Sequence, residues 1–93
     1  MVVGILRLTL YIHGAASLKD KRQVVRGLKD RIRERVRAAV AEVDHQDLWQ
    51  RTALGVAVVA PDAGQARELL QSVRRIVDQT WEAELTDWQE TIE

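Results

Sequence analysis

A chain of 93 residues, with 46% hydrophobic and 30% charged residues, has the composition of one globular domain and is too short for two. Because it has no cysteine, disulfides and thiolate metal sites are excluded, and a reducing, cytoplasmic location is expected. The formal charge is zero, yet residues 1–37 carry ten Lys/Arg against three Asp/Glu, and residues 38–93 carry four against eleven. This split indicates a polyanionic partner, a complementary protein partner or self-association.

The first predicted element is a strand over residues 2–13, where apolar residues alternate at period two. The apolar run in this segment is too short for a membrane-spanning helix, and no other apolar run in the chain is long enough. Ser17, followed three residues later by Asp20, resembles a capping box and predicts that a helix begins at about Leu18.

That helix is predicted to continue to about Arg35, because apolar residues recur every three or four positions. The apolar positions are Val24, Val25, Leu28, Ile32 and Val36. Gly27 lies among them at a cost of about 1 kcal/mol relative to alanine. Close approach of a neighbouring element is the expected reason for this glycine.

Two more strands are predicted over residues 38–44 and 52–60, separated by a polar turn and ended by Pro61. Asp62 and Gln65 predict the start of a second helix that runs to about Thr80. A polar edge strand follows over residues 82–91. The order β-α-β-β-α-β predicts an α+β fold of the ferredoxin-like, split-βαβ type, in which residues 1–93 form a single domain. Both helices would cover one face of a four-stranded antiparallel sheet, with strands one and three in its centre.

Six cations of the first helix fall in one narrow sector at roughly 100° per residue, beside the apolar face. We call this set the basic stripe: Lys19, Arg22, Arg26, Lys29, Arg33 and Arg37. The acidic residues Asp20, Asp30 and Glu34 lie in another sector, although Arg26 and Asp30 are spaced for an i,i+4 ion pair. Such a stripe can bind a phosphate backbone, or it can be an ordinary solvated face.

Enzymatic signatures are weak. The residues that could gather metal ligands or a general base are Glu42, Asp44, His45 and Asp47. Without a second histidine at a fixed spacing, a solvated turn in which Asp44 and Asp47 bond their own backbone is the favoured interpretation. The five glycines are scattered and form no phosphate-binding loop, and no histidine is placed to activate Ser17 or Ser72. We therefore expect no catalytic residue, no cofactor, no metal and no small-molecule substrate.

The open sheet face and the tryptophans allow further alternatives. Small and apolar residues on the open face favour self-association or cover by the C-terminal segment over RNA recognition, which uses several aromatic residues there. The outward residues would be Ile5, Thr9, Tyr11, Gly55, Ala57 and Val59. Trp49, Trp81 and Trp88 are expected to cover the ends of the core. The alternative is that Trp49 and Arg51 form a recognition hot spot.

Two stretches, residues 17–22 (SLKDKR) and residues 41–51 (AEVDHQDLWQR), resemble the YlxP-like family of small uncharacterised bacterial proteins. The resemblance extends over the whole chain and implies a ferredoxin-like fold. It also implies a genetic setting among translation and ribosome-maturation genes, but no activity and no catalytic residues.

The leading hypothesis is therefore a non-enzymatic binding protein whose basic stripe contacts an anionic partner, RNA or the ribosome. The alternative is a homodimer or protein-interaction module with no role in nucleic-acid binding. Neither hypothesis involves a membrane. The candidate partner-binding residues are the basic stripe together with Trp49 and Arg51.

Overall fold

The computed structural model describes all residues, 1–93, and has the predicted order of elements. The strands are β1 (Val2–Ile12), β2 (Ala39–Asp44), β3 (Arg51–Ala60) and β4 (Ala83–Ile92), and the helices are α1 (Leu18–Val36) and α2 (Ala63–Asp78). All neighbouring strands pair antiparallel in the order β2-β3-β1-β4. This is the ferredoxin-like arrangement, with β1 and β3 in the centre as expected. Neither helix is long and apolar enough to cross a membrane.

Both helices begin at the predicted caps. The Ser17 hydroxyl accepts a hydrogen bond from the Asp20 backbone N–H at 3.1 Å, and the Asp62 carboxylate accepts one from Gln65 N–H at 2.9 Å. Helix α1 ends where Arg37 adopts a left-handed conformation, with φ of 56°, and donates its N–H to the Arg33 carbonyl. Helix α1 therefore begins and ends within one residue of the predicted positions, Leu18 and Arg35.

The core lies between the helices and one face of the sheet. Leu6, Leu8 and Leu10 of β1 are fully buried against this layer, together with Leu28 and Ile32 of α1. The alternating residues of β1 face away from the helices, and Ile5 is 40% exposed. The open face predicted from the alternation is therefore confirmed, and its exposed apolar residues include Val43 of β2 and Val59 of β3.

Gly27 does not mark a close approach, contrary to expectation, because no atom lies within 4 Å of the place where its Cβ would be. We therefore expect Gly27→Ala to raise the free energy of unfolding by about 0.5–1 kcal/mol, since alanine removes the entropic penalty of glycine in a helix. Urea denaturation would measure the gain. A loss of stability would show that this surface of α1 is more crowded than the structure indicates.

Candidate functional site

Five of the six cations of the basic stripe have no hydrogen bond or ion pair from their side chains. They are Lys19, Arg22, Arg26, Lys29 and Arg37. Lys29 is partly buried along its length and the others are exposed. Between Lys19 and Arg37 the stripe extends for about 27 Å at 1.5 Å per residue. The helix therefore presents a row of charges that the protein itself does not neutralise.

Arg33 is the exception within the stripe. Its guanidinium donates to the Val40 carbonyl of β2 at 2.8 Å and lies 3.8 Å from the Asp30 carboxylate. The expected i,i+4 pair between Arg26 and Asp30 does not form, because Asp30 turns toward Arg33 instead. Since Arg33 reaches edge strand β2, the stripe lies on the flank of α1 beside that edge. Arg31, on the opposite flank, donates to the Thr80 hydroxyl at 2.9 Å.

The charge split of the sequence becomes a split between structural layers. Helices α1 and α2 together carry eleven Lys/Arg and five Asp/Glu, whereas the strands, turns and termini carry three Lys/Arg and nine Asp/Glu. Helix α2 lies in the acidic half of the sequence, yet it contributes three arginines and two acids and so belongs with the basic helix layer. The helix layer is therefore basic, and the rest of the chain, which comprises the strands, the turns and the Arg37 cap, is acidic by an equal amount.

Lys21 is fully buried, although it is a charged residue of the basic helix. Its ammonium lies 2.6 Å from the Glu42 carboxylate, and it donates to the backbone carbonyls of His45 at 2.8 Å and Gln46 at 3.3 Å. The same Glu42 oxygen accepts a hydrogen bond from Thr52. An ammonium has three donors, and each has an acceptor here. Lys21 thus fastens the start of the β2–β3 turn to α1.

Sequence reasoning missed this role, although a signal for it was present. Lys21 stands four residues before Val25 and seven before Leu28, so it continues the core-facing series of α1 toward the N-terminus. A charged side chain in such a position is almost never buried without a partner. The pattern could therefore have predicted that Lys21 pairs with a carboxylate from the sheet, but not which carboxylate.

The acidic cluster of the turn does not form one site. Glu42 faces α1, and a register shift between Glu42 and Asp44 turns Asp44 to the open face, where it pairs with Arg7 at 3.2 Å. Asp44 also accepts a hydrogen bond from the His45 N–H, as a turn residue does. Because these side chains lie on both sides of the sheet edge, no three ligating groups converge on a metal position.

Two of the three tryptophans are not lids on the core, so that expectation is wrong for them. Trp81 is 82% exposed and Trp49 is 54% exposed. Trp88 does pack against the core, and the Arg74 guanidinium lies over its ring at 5.3 Å. The lid interpretation therefore holds for Trp88 alone.

Trp49 lies in an open groove of about 430 Å³ at the turn between β2 and β3. We call its apolar and cationic lining the hairpin surface: Tyr11, Leu48, Trp49 and Arg51. Arg51 pairs across the strands with Tyr11, which faces away from the helices. The basic stripe lies on the helix layer. The structure thus separates Trp49 and Arg51 from the other candidate residues.

The chain matches a family model described as a protein of unknown function, DUF503, over residues 3–90. It belongs to the DUF503 family. A relative in Bacillus subtilis (strain 168), the uncharacterized protein YlxP, is 33% identical over 85 residues, which cover 91% of this chain and 92% of the relative. The solution NMR structure of a de novo designed protein with a ferredoxin fold aligns with a TM-score of 0.61 at 14% identity, covering 100% of this chain and 86% of that one. The resemblance drawn from residues 17–22 and 41–51 is confirmed.

In this DUF503 member, the two stretches that carry the resemblance touch each other in space. Lys21 belongs to the first stretch, and all of its acceptors (Glu42, His45 and Gln46) belong to the second. The second stretch also contains Leu48, Trp49 and Arg51. The two stretches therefore form one structural unit that anchors the turn and presents the hairpin surface.

Proposed function

We propose that this protein is a cytoplasmic, non-enzymatic binding protein whose basic stripe contacts the phosphate backbone of structured RNA, with ribosomal RNA as the natural candidate. The observation that carries the proposal is the row of five cations without protein partners on one flank of α1. Cations that the fold does not neutralise are free to replace the counterions condensed on a nucleic acid.

Two further features support an RNA partner over a solvated helix face. The helix layer as a whole carries more cations than acids, so the field around the stripe attracts a polyanion. The stripe is also carried by a helix whose opposite side is packed in the core, which holds the cations at fixed spacing. Contacts of this kind recognise the shape of the backbone and carry no base sequence.

The test is binding of a fluorescently labelled RNA hairpin, followed by anisotropy across a salt series. Wild-type protein should show a log–log salt slope of about −4 if the five cations each meet a phosphate. Arg22→Glu with Arg26→Glu should weaken binding by at least about tenfold. It should also flatten the salt slope, because fewer phosphate contacts release fewer counterions. Both arginines are exposed and make no side-chain hydrogen bond or ion pair, so the variant should remain folded.

The control is Arg67→Glu with Arg75→Glu on α2, which changes the net charge equally at exposed positions outside the stripe and removes only the exposed hydrogen bond from Arg75 to Ser72. This control should bind the RNA hairpin within about threefold of wild type, since it alters only the distant field. Equal weakening by both double variants, or binding that is independent of salt, would contradict the proposed site. Arg33 is left unchanged because its reversal would also break the contact with Val40.

A further inference from the structure

The hairpin surface exposes two large apolar side chains side by side. Leu48 is 45% exposed and Trp49 is 54% exposed, and the groove beside them is lined by Tyr11 and Arg51. Trp, Tyr and Arg are the residue types that most often carry the binding energy of protein–protein interfaces. Neither residue belongs to the core, so packing within the fold does not explain why these two exposed side chains are apolar.

The backbone that presents these residues is fixed at several points. Lys21 holds the carbonyls of His45 and Gln46, and the Leu48 N–H donates to the His45 carbonyl at 3.1 Å. At the far end of the turn, the Ile12 N–H donates to the Gln50 carbonyl at 2.8 Å. A surface held in this way loses little conformational freedom on binding, which is how preorganisation raises affinity.

The charges around the hairpin surface select the kind of partner. Asp47 lines the groove and has no ion pair, and Glu84 lies beside Tyr11 on β4 with only His13 near it, at 3.5 Å. Of the two cations on the open face, Arg51 and Arg7, Arg7 is already paired with Asp44. A phosphate backbone would meet these carboxylates in an acidic layer, whereas lysine and arginine side chains would be attracted.

We infer that the hairpin surface docks a basic polypeptide segment that inserts one aromatic or aliphatic side chain between Tyr11 and Trp49. Its cationic side chains would face Asp47 and Glu84. The Arg51 guanidinium, which has no partner in the fold, would donate hydrogen bonds to backbone carbonyls of the segment. This inference does not depend on RNA binding, because it uses the opposite layer of the molecule. Together the two surfaces would let one small domain join a basic protein to an RNA.

The test uses the indole N–H signals of the three tryptophans in a ¹H–¹⁵N NMR titration of the full chain. The probe is a short synthetic peptide of lysine and arginine residues with one central phenylalanine. We expect the Trp49 signal to move while the signal of exposed Trp81 stays in place. Trp49→Ala should weaken binding at least about tenfold, which is the effect of losing a hot-spot residue. Trp81→Ala, which removes the more exposed tryptophan, should leave binding unaltered.

Two variant peptides separate the contribution of the inserted phenylalanine from that of the cationic side chains. Replacing the phenylalanine with serine should weaken binding about as much as Trp49→Ala, and replacing the cations with glutamate should abolish binding. Equal binding of the glutamate peptide, or equal movement of the Trp49 and Trp81 signals, would overturn the inference. Movement of the Trp49 signal on addition of single-stranded RNA in the absence of the peptide would assign the groove to nucleic acid. Movement of that signal on dilution of the protein alone would assign it to a second copy.

The double variant Arg22→Glu with Arg26→Glu distinguishes this inference from the proposed RNA site. It should bind the phenylalanine peptide as wild type does, while its binding of the RNA hairpin is weakened at least about tenfold. Loss of both ligands would show that one surface serves both.

Discussion

Lys21→Met should lower the free energy of unfolding by about 3 kcal/mol, although it changes a residue of a cation-rich helix. Methionine keeps the apolar stem of the side chain but removes all three hydrogen bonds of the ammonium. Glu42 is then left without its counter-charge, and two turn carbonyls lose their donor. Because Glu42 keeps 18% of its side chain exposed, we place the loss at the lower end of the range for breaking a buried ion pair.

Urea denaturation of this variant beside Lys19→Met provides the comparison. Lys19 is exposed on the same helix and has no partner, so its replacement should change stability by less than about 0.5 kcal/mol. Adding Glu42→Gln to Lys21→Met should restore part of the loss, since the uncompensated charge disappears while Thr52 keeps an acceptor. A cost below about 1 kcal/mol for Lys21→Met would show that the pair contributes little to the fold.

Gly4→Ala should lower the free energy of unfolding by about 1–3 kcal/mol, the usual cost of overpacking a core. Gly4 is buried on central strand β1, and a Cβ there would lie 2.8 Å from Val58 Cγ2 and 3.2 Å from Leu70 Cδ1. Valine is stiff at χ1, so its methyl group cannot move aside at low cost. The same substitution at Gly27 meets no atom and should have the opposite sign.

Thermal or urea denaturation of both alanine variants gives the signs directly. Adding Val58→Ala to Gly4→Ala removes the clashing methyl group, so the two changes together should cost less than the sum of their separate costs, by about 0.5 kcal/mol or more. Strict additivity would show that α2 and the sheet shift freely to accommodate the new methyl group. The sign of the stability change caused by Gly4→Ala therefore tests how closely Leu70 of α2 packs against β1.

The elements of the fold were predictable to within one or two residues at most boundaries. Period-two alternation identified β1 and β3, and the caps at Ser17 and Asp62 fixed where the helices begin. These signals are local, because each depends on residues only two to four positions apart. The basic stripe was predictable for the same reason, since its sector follows from helix geometry alone.

The candidate site was predictable only in part. The sequence placed Trp49 and Arg51 beside the stripe as one set of candidates, and the structure separates them into opposite layers. The sequence also offered no means of predicting which tryptophans are exposed, because the burial of each ring depends on which elements pack above it. Trp81, just past α2, is almost fully exposed, whereas Trp88, seven residues later, packs on the core.

By itself, then, the sequence determined the α+β order, the two helix starts and the sector of cations on α1. Only the tertiary structure decided the role of Lys21, whose acceptors at His45 and Gln46 lie 24 and 25 positions away along the chain. No periodic pattern encodes a contact at that distance, since it exists only after the sheet has paired and α1 has packed on it. That contact holds the turn, and the turn presents Trp49.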